Sequence, residues 1–177
     1  MAKLTPVYQT LEDRCNPDEV ELNGAYKSEK SHWLGQGYYF WDRSIRRAHW
    51  WGQTWYVGKD YMICEASVIC EDAFFFDLYD NPEHSEFFEK YAEDLKKRFP
   101  QKTIKAKYVL FHMRKNNRFP YKMMRVESER CGGDNRIPFN DYSFVNTNKA
   151  IQICVYDKSI IHNYHVVYPD SYIVPIG

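Results

Sequence analysis

The sequence has no long apolar run, no paired-cysteine pattern and no net charge. No segment approaches the roughly eighteen apolar residues of a membrane helix, and the first residues do not form the apolar stretch of a signal peptide. The five cysteines are odd in number and form no C-x-x-C pair, so we expect neither a disulfide framework nor a zinc site. These absences predict a cytoplasmic protein without a bound metal.

Several well-known catalytic loops are also missing. The sequence contains no G-x-S-x-G elbow, no Walker loop and no dinucleotide-type G-x-G-x-x-G. With 24 basic and 24 acidic residues, the chain has no overall field to attract nucleic acid or membrane.

Aromatic residues, in contrast, are abundant. They make up 18% of the 177 residues, and 44% of the residues are hydrophobic. A chain of this size can bury a substantial core, and large rings suit both a small core and a pocket for a flat ligand. We expect one domain covering residues 1–177.

The order of elements predicts an α+β fold with a mostly antiparallel core. Alternation and β propensity indicate many short strands, whereas capping residues indicate a few short helices. Asp42 is expected to cap the second helix, Gly52 to end it, and Asn81-Pro82 to start the third. The predicted strands are 7–11, 38–41, 61–69, 73–78, 108–113, 121–126 and 150–156, the predicted helices are 18–22, 44–51 and 82–99, and residues 131–135 are predicted to form a loop.

One segment combines glycines, rings and a helix start. It runs Leu34-Gly-Gln-Gly-Tyr-Tyr-Phe-Trp-Asp42, and it is followed by Ala48 and Trp50. This pattern, G-x-G-x-Y-F with an alanine eight residues after the Phe and an aromatic two residues later, resembles the second motif of the poly(ADP-ribose) polymerase branch of the diphtheria-toxin-like ADP-ribosyltransferases. The resemblance implies that Tyr39 and Trp50 sandwich a nicotinamide ring near Gly35 and Gly37. Arg47 stands where the family has a small hydroxyl residue that bonds the carboxamide.

Two further segments extend the resemblance. The run from Gln152 to Asp157 is similar to the family's strand E-Y-I-V-Y-D, with Gln152 in place of the catalytic glutamate. Gln9 stands where the first motif has a histidine that holds the adenosine ribose. The family's catalytic triad therefore corresponds to Gln9, Tyr39 and Gln152.

The resemblance implies an ADP-ribosyltransferase fold of two packed, mostly antiparallel sheets. It also implies that NAD is the substrate and that a single ADP-ribose is moved to a protein or nucleic acid, as in toxins and defence effectors. Because Gln152 is uncharged, a glycohydrolase and a weak or inactive NAD-binding pseudoenzyme remain open. For Tyr39, Trp50 and Gln152, ordinary positions in a core or on a half-buried strand are the alternative.

A basic run lies between residues 96 and 125. It contains eleven Lys or Arg residues and no Asp or Glu, and aromatic residues are interleaved with the bases. Such a run is typical of a solvated surface but also of a nucleic-acid-binding module. The residues expected to guide a nucleic-acid acceptor are Lys96, Lys97, Arg98, Lys102, Lys105, Lys107, Arg114, Lys115 and Arg118.

Overall fold

The structure of the chain is a computed structural model that describes residues 3–28, 32–128, 136–140, 143–147 and 149–173. At residues 3, 136–140 and 143–146 it describes the backbone alone. The predicted loop at 131–135 lies outside the described residues.

The described residues form an α+β fold of short strands and four α-helices. The helices are α1 (Pro17–Asn23), α2 (Ile45–Trp55), α3 (Pro82–Arg98) and α4 (Ala106–Lys115). The strands are β1 (Lys3–Glu12), β2 (Tyr38–Asp42), β3 (Tyr61–Cys70), β4 (Phe75–Asp77), β5 (Met123–Glu127), β6 (Arg136–Asn140), β7 (Ser143–Asn146), β8 (Ile151–Val155) and β9 (Ile161–Tyr168).

Seven strands form one mixed sheet in the order β4-β5-β8-β2-β1-β3-β9. Only the edge pair β4–β5 is parallel, and β6 and β7 form a separate antiparallel pair. The predicted α+β fold with a mostly antiparallel core is confirmed, whereas the arrangement of two packed sheets stays a prediction. Both sides of the central strands are apolar, and α3 and α4 cover the apolar side chains of one side.

We call the side of the sheet that carries Tyr39, Trp41 and Gln152 the front face, and the side that carries Val7 and Phe40 the back face. On the front face, α3 and α4 pack over β4, β5 and β8, while α2 packs over β1 and β3. On the back face, Val20 of α1 contacts β3 and β9. The centre of the front face thus lies between α2 and α4.

Helix α4 corrects the strand predicted at 108–113. Its apolar residues Val109, Leu110 and Met113 are fully or almost fully buried, at a spacing that places them on one side of a helix. A short apolar run fits both a strand and a buried helix, and packing against the sheet decides in favour of the helix.

Helix α2 begins and ends differently from the prediction. Ser44, not Asp42, caps it by accepting a hydrogen bond from the Arg47 amide, since Asp42 is the last residue of β2. Gly52 lies inside the helix and not at its end. A Cβ at this position would stand 2.4 Å from the ring of Tyr61. The glycine permits close packing on β3 and does not end the helix.

Helix α3 begins as predicted. The Asn81 side chain accepts hydrogen bonds from the Glu83 and His84 amides, and Pro82 follows the cap. Of its apolar residues, Leu95 is buried and Phe88 and Tyr91 are half-buried, but Phe87 is exposed. Among the described residues, no helix combines the length and apolarity that crossing a membrane requires.

Candidate functional site

Three neighbouring strands carry the residues expected to form the catalytic triad. Gln9 is on β1, Tyr39 on β2 and Gln152 on β8, and the three strands are adjacent in the sheet. In the β2–β8 pair, Tyr39 faces Cys154 and Trp41 faces Gln152. Residues paired across antiparallel strands point to the same side, so Tyr39 and Gln152 share the front face.

Gln9 does not join them, because its side chain lies on the opposite face of the sheet. Tyr8 pairs with Trp41, so the next residue, Gln9, points to the back face. Its amide is held there by Tyr26 and Tyr164: Nε2 donates to the Tyr26 carbonyl over 2.9 Å, and Oε1 accepts from the Tyr26 amide and the Tyr164 hydroxyl. Gln9 is a buried structural link, and the sheet separates its side chain from that of Gln152.

Gln152 is buried at the centre of the front face and bonded to a tryptophan. The indole Nε1 of Trp33 donates to Oε1 of Gln152 over 2.9 Å. Trp33 is 39% exposed and belongs to the segment that precedes β2. The side chain of Gln152 therefore lies under a partly exposed ring.

The hydroxyl of Tyr39 is fixed by the same segment. It donates to the carbonyl of Gly35 over 2.5 Å and accepts from the amide of Leu34. Burial raises the pKa of Tyr39, so the phenol stays protonated at neutral pH. The exposed ring of His32 meets the ring of Tyr39 edge to face. Tyr39 can offer an aromatic surface and a neutral hydroxyl but does not act as a base.

Trp50 reaches the front face from α2. It packs edge-on against Trp41, with ring centroids 6.3 Å apart, and the guanidinium of Arg47 lies 5.5 Å from its ring centre. Tyr39 and Trp50 thus lie on the same side of the sheet, but their ring contacts are with different partners. Trp41, which contacts Trp50, is also the residue of β2 that pairs with Gln152 of β8.

The two glycines of the second motif have different roles in the fold. Gly35 has a φ of 88°, in the left-handed region that favours glycine. At Gly37, a Cβ would stand 2.6 Å from Sγ of Cys154 and 2.8 Å from the carbonyl of Val155. Packing on β8 therefore accounts for Gly37 without a ligand.

Tyr156 and Asp157, which end the third motif, make structural contacts. The Tyr156 hydroxyl donates to the Leu34 carbonyl, and the guanidinium of Arg114 lies 3.9 Å from the Tyr156 ring centre. Arg114 therefore turns inward, unlike the other bases expected to guide an acceptor. The Ser159 amide and Lys122 lower the pKa of Asp157 to about 2, and Asp157 caps the 3₁₀ turn Lys158–Ile160.

Sequence reasoning missed Trp33, His32 and Trp41 as neighbours of the site. Their position directly before or within the glycine–tyrosine motif is the feature that could have indicated them. Trp33 in particular contacts a residue 119 positions away. No local sequence pattern can indicate a contact between residues so far apart in the chain.

Comparisons with known proteins give no family. No protein-family model matches the chain, and no curated protein matches it. In the part of the chain that the structure describes, no group of three or more His, Cys, Asp or Glu residues is arranged to hold a metal ion.

Proposed function

We propose that this chain is an NAD-dependent mono-ADP-ribosyltransferase that moves ADP-ribose to a macromolecular acceptor and releases nicotinamide. The observation that carries the proposal is the position of Gln152: it faces Trp41 across β2 and β8, on the same face as Tyr39, and Trp41 in turn contacts Trp50 of α2. Tyr39 and Trp50 of the second motif thus share one face with Gln152, which stands at the position of the family's glutamate and is distant from them in sequence. A role as a toxin or defence effector belongs to the same proposal.

In this proposal the rings hold the leaving group. Trp50 or Tyr39 would stack on nicotinamide, as flat aromatic partners do. The amide of Gln152 would bond a ribose hydroxyl, since an amide both donates and accepts. Loss of nicotinamide from the ribose leaves an oxocarbenium-like sugar, which these contacts hold in place for attack by the acceptor.

Because the side-chain amide of Gln152 is neutral, we expect ADP-ribose transfer to be slow. A carboxylate about 4 Å from the developing cation would contribute about 4 kcal/mol at an effective dielectric constant near 20. That energy corresponds to about a thousandfold in rate. A glutamine contributes only a dipole, which favours slow transfer of one ADP-ribose over synthesis of a polymer.

Release of nicotinamide from NAD by the purified protein tests the proposal. We expect Gln152→Ala and Trp50→Ala to reduce the release at least tenfold relative to the wild type. Trp55→Ala is the matched control, because Trp55 lies on the same helix but is 64% exposed. Release that is absent in the wild type, or equal in all three variants, would contradict the proposal.

A second candidate, an NAD-binding protein without turnover, is favoured by the neutral residue at position 152. The missing carboxylate weakens stabilisation of the developing cation more directly than it weakens NAD binding. Calorimetric binding of NAD without any nicotinamide in long incubations would identify this case.

A further inference from the structure

The outer side of α4 carries rings between positive charges. Residues Lys107, Tyr108, Phe111 and Lys115 follow a spacing of one, four and eight residues, which places them on one side of a helix, opposite the buried Val109 and Met113. We call these four residues the α4 outer face. Phe111 is 57% exposed, an unusual position for a phenylalanine flanked by lysines.

The rings on this face form a connected group. The centroids of Tyr108 and Phe111 are 6.5 Å apart with planes inclined by 33°, and His112 lies 4.8 Å from Tyr108 and 5.7 Å from Phe111. Phe99, at the end of α3, contacts His112. The group is therefore a partly exposed aromatic platform and not a single stray hydrophobic residue.

The chain segment that carries the platform contains basic residues and no acidic ones. The sequence has no Asp or Glu from Leu95 to Val126. Among the described residues, no carboxylate forms an ion pair with Lys102, Lys105, Lys107, Lys115 or Arg118. Only Lys122 and Arg125, at the end of the basic run, have acidic partners, in Asp157 and in Asp42, Asp77 and Asp80. The acidic residues of α3 do not neutralise the outer face through ion pairs.

We propose that the α4 outer face binds a single-stranded nucleic acid. The lysines would contact successive phosphates while unpaired bases stack on Phe111 and Tyr108, the combination by which proteins hold single strands without reading sequence. A duplex keeps its bases stacked on each other, so it would use the charges but not the rings. The identity of this strand as the ADP-ribose acceptor rests on the proposed function, but binding itself does not require NAD.

Binding of fluorescent oligo(U) and oligo(dT) of about twelve nucleotides, measured by anisotropy without NAD, tests the rings. We expect Phe111→Ala to weaken binding about tenfold, in the range reported for loss of one stacked base. Phe111→Trp should retain wild-type affinity. Phe87→Ala, the same substitution at an exposed residue on α3, is the matched control and should bind like the wild type.

The salt dependence tests the lysines. Each phosphate contact on a single strand contributes about 0.7 to the slope of log K against log salt, so Lys107→Gln with Lys115→Gln should lower that slope by about 1.4. The double variant Lys59→Gln with Lys90→Gln removes the same charge elsewhere and should leave the slope unchanged. Melting temperatures show whether each variant stays folded; the substituted side chains are exposed except that of Lys107, which is half-buried.

The outcomes separate the two proposals. Absence of strand binding by the wild type, tighter binding of a blunt duplex, or equal losses in the test and control variants would overturn the nucleic-acid site. Strand binding without nicotinamide release would leave the nucleic-acid site standing and contradict the transferase. Radiolabel from NAD on the bound strand, lost in Phe111→Ala, would support both.

Discussion

The indole Nε1 of Trp33 donates a hydrogen bond to the side-chain oxygen of Gln152, 2.9 Å away. A ribose hydroxyl that donates to the same amide oxygen would compete with this indole. One hydrogen bond contributes about 1 kcal/mol net, so removing the competitor corresponds to roughly fivefold in affinity.

We therefore expect Trp33→Phe, which keeps the ring but removes the N–H donor, to lower the KM for NAD about fivefold. Steady-state nicotinamide release measures it. Trp55→Phe provides the control at an exposed tryptophan. A higher KM in Trp33→Phe would mean that the indole helps to hold NAD and does not compete with it.

A carboxylate at position 152 would provide the missing charge. Gln152→Glu is expected to raise nicotinamide release by up to about a thousandfold. Because burial on the front face raises the pKa of a carboxyl, the gain should grow as pH increases from 6 to 8. Gln152→Ala controls for the loss of the amide. Unchanged or slower release in Gln152→Glu across this pH range would count against a cation-stabilising role.

Gln9 is predicted to stabilise the fold without contacting NAD. Gln9→Leu leaves the Tyr26 amide and carbonyl and the Tyr164 hydroxyl without their partner, and each buried unpaired group costs about 1–3 kcal/mol. Urea unfolding should show a loss of at least about 2 kcal/mol. Below the melting temperature, the KM for NAD should equal that of the wild type. A raised KM with intact stability would restore the adenosine-ribose role that the sequence suggested.

The parts of the fold that the sequence predicted are those with local causes. Asn81 and Pro82 start α3 whatever surrounds them, and the alternation around Ile153 defines β8. Helix α4 was mistaken for a strand because a short apolar run has no decisive period. Only its packing against α3 and the sheet distinguishes the two.

The candidate site was predictable in part for a related reason. The motif around Tyr39 is contiguous, so its strand and helix could be expected together. The face on which Gln9 lies depends on the register between β1 and β2, and a shift of one residue would reverse it. The contact of Trp33 with Gln152 depends on how a segment crosses the sheet, which no local spacing encodes.

The buried thiols predict a loss of stability in alkali. Burial raises the pKa of Cys64 to about 11 and that of Cys154 to about 12. Unfolded thiols titrate near 8.5, so the unfolded chain loses these protons first. Stability is therefore complete below about pH 8.5 and falls as pH rises towards the folded pKa values, by about 1.4 kcal/mol per pH unit for each thiol.

The free energy of unfolding in urea, measured from pH 8 to 10, tests this. Unfolded tyrosine titrates near pH 10, at the upper end of this window, and contributes alike to the wild type and to the cysteine variants. Cys64→Ala should decline less steeply than the wild type by about 1.4 kcal/mol per pH unit at the upper end, whatever its stability at pH 8. Cys15→Ala, at an exposed cysteine, should follow the wild-type slope. Parallel curves for Cys64→Ala and the wild type would mean that the Cys64 thiol titrates alike in the folded and unfolded chains, and that burial in the β3 core does not hold it protonated.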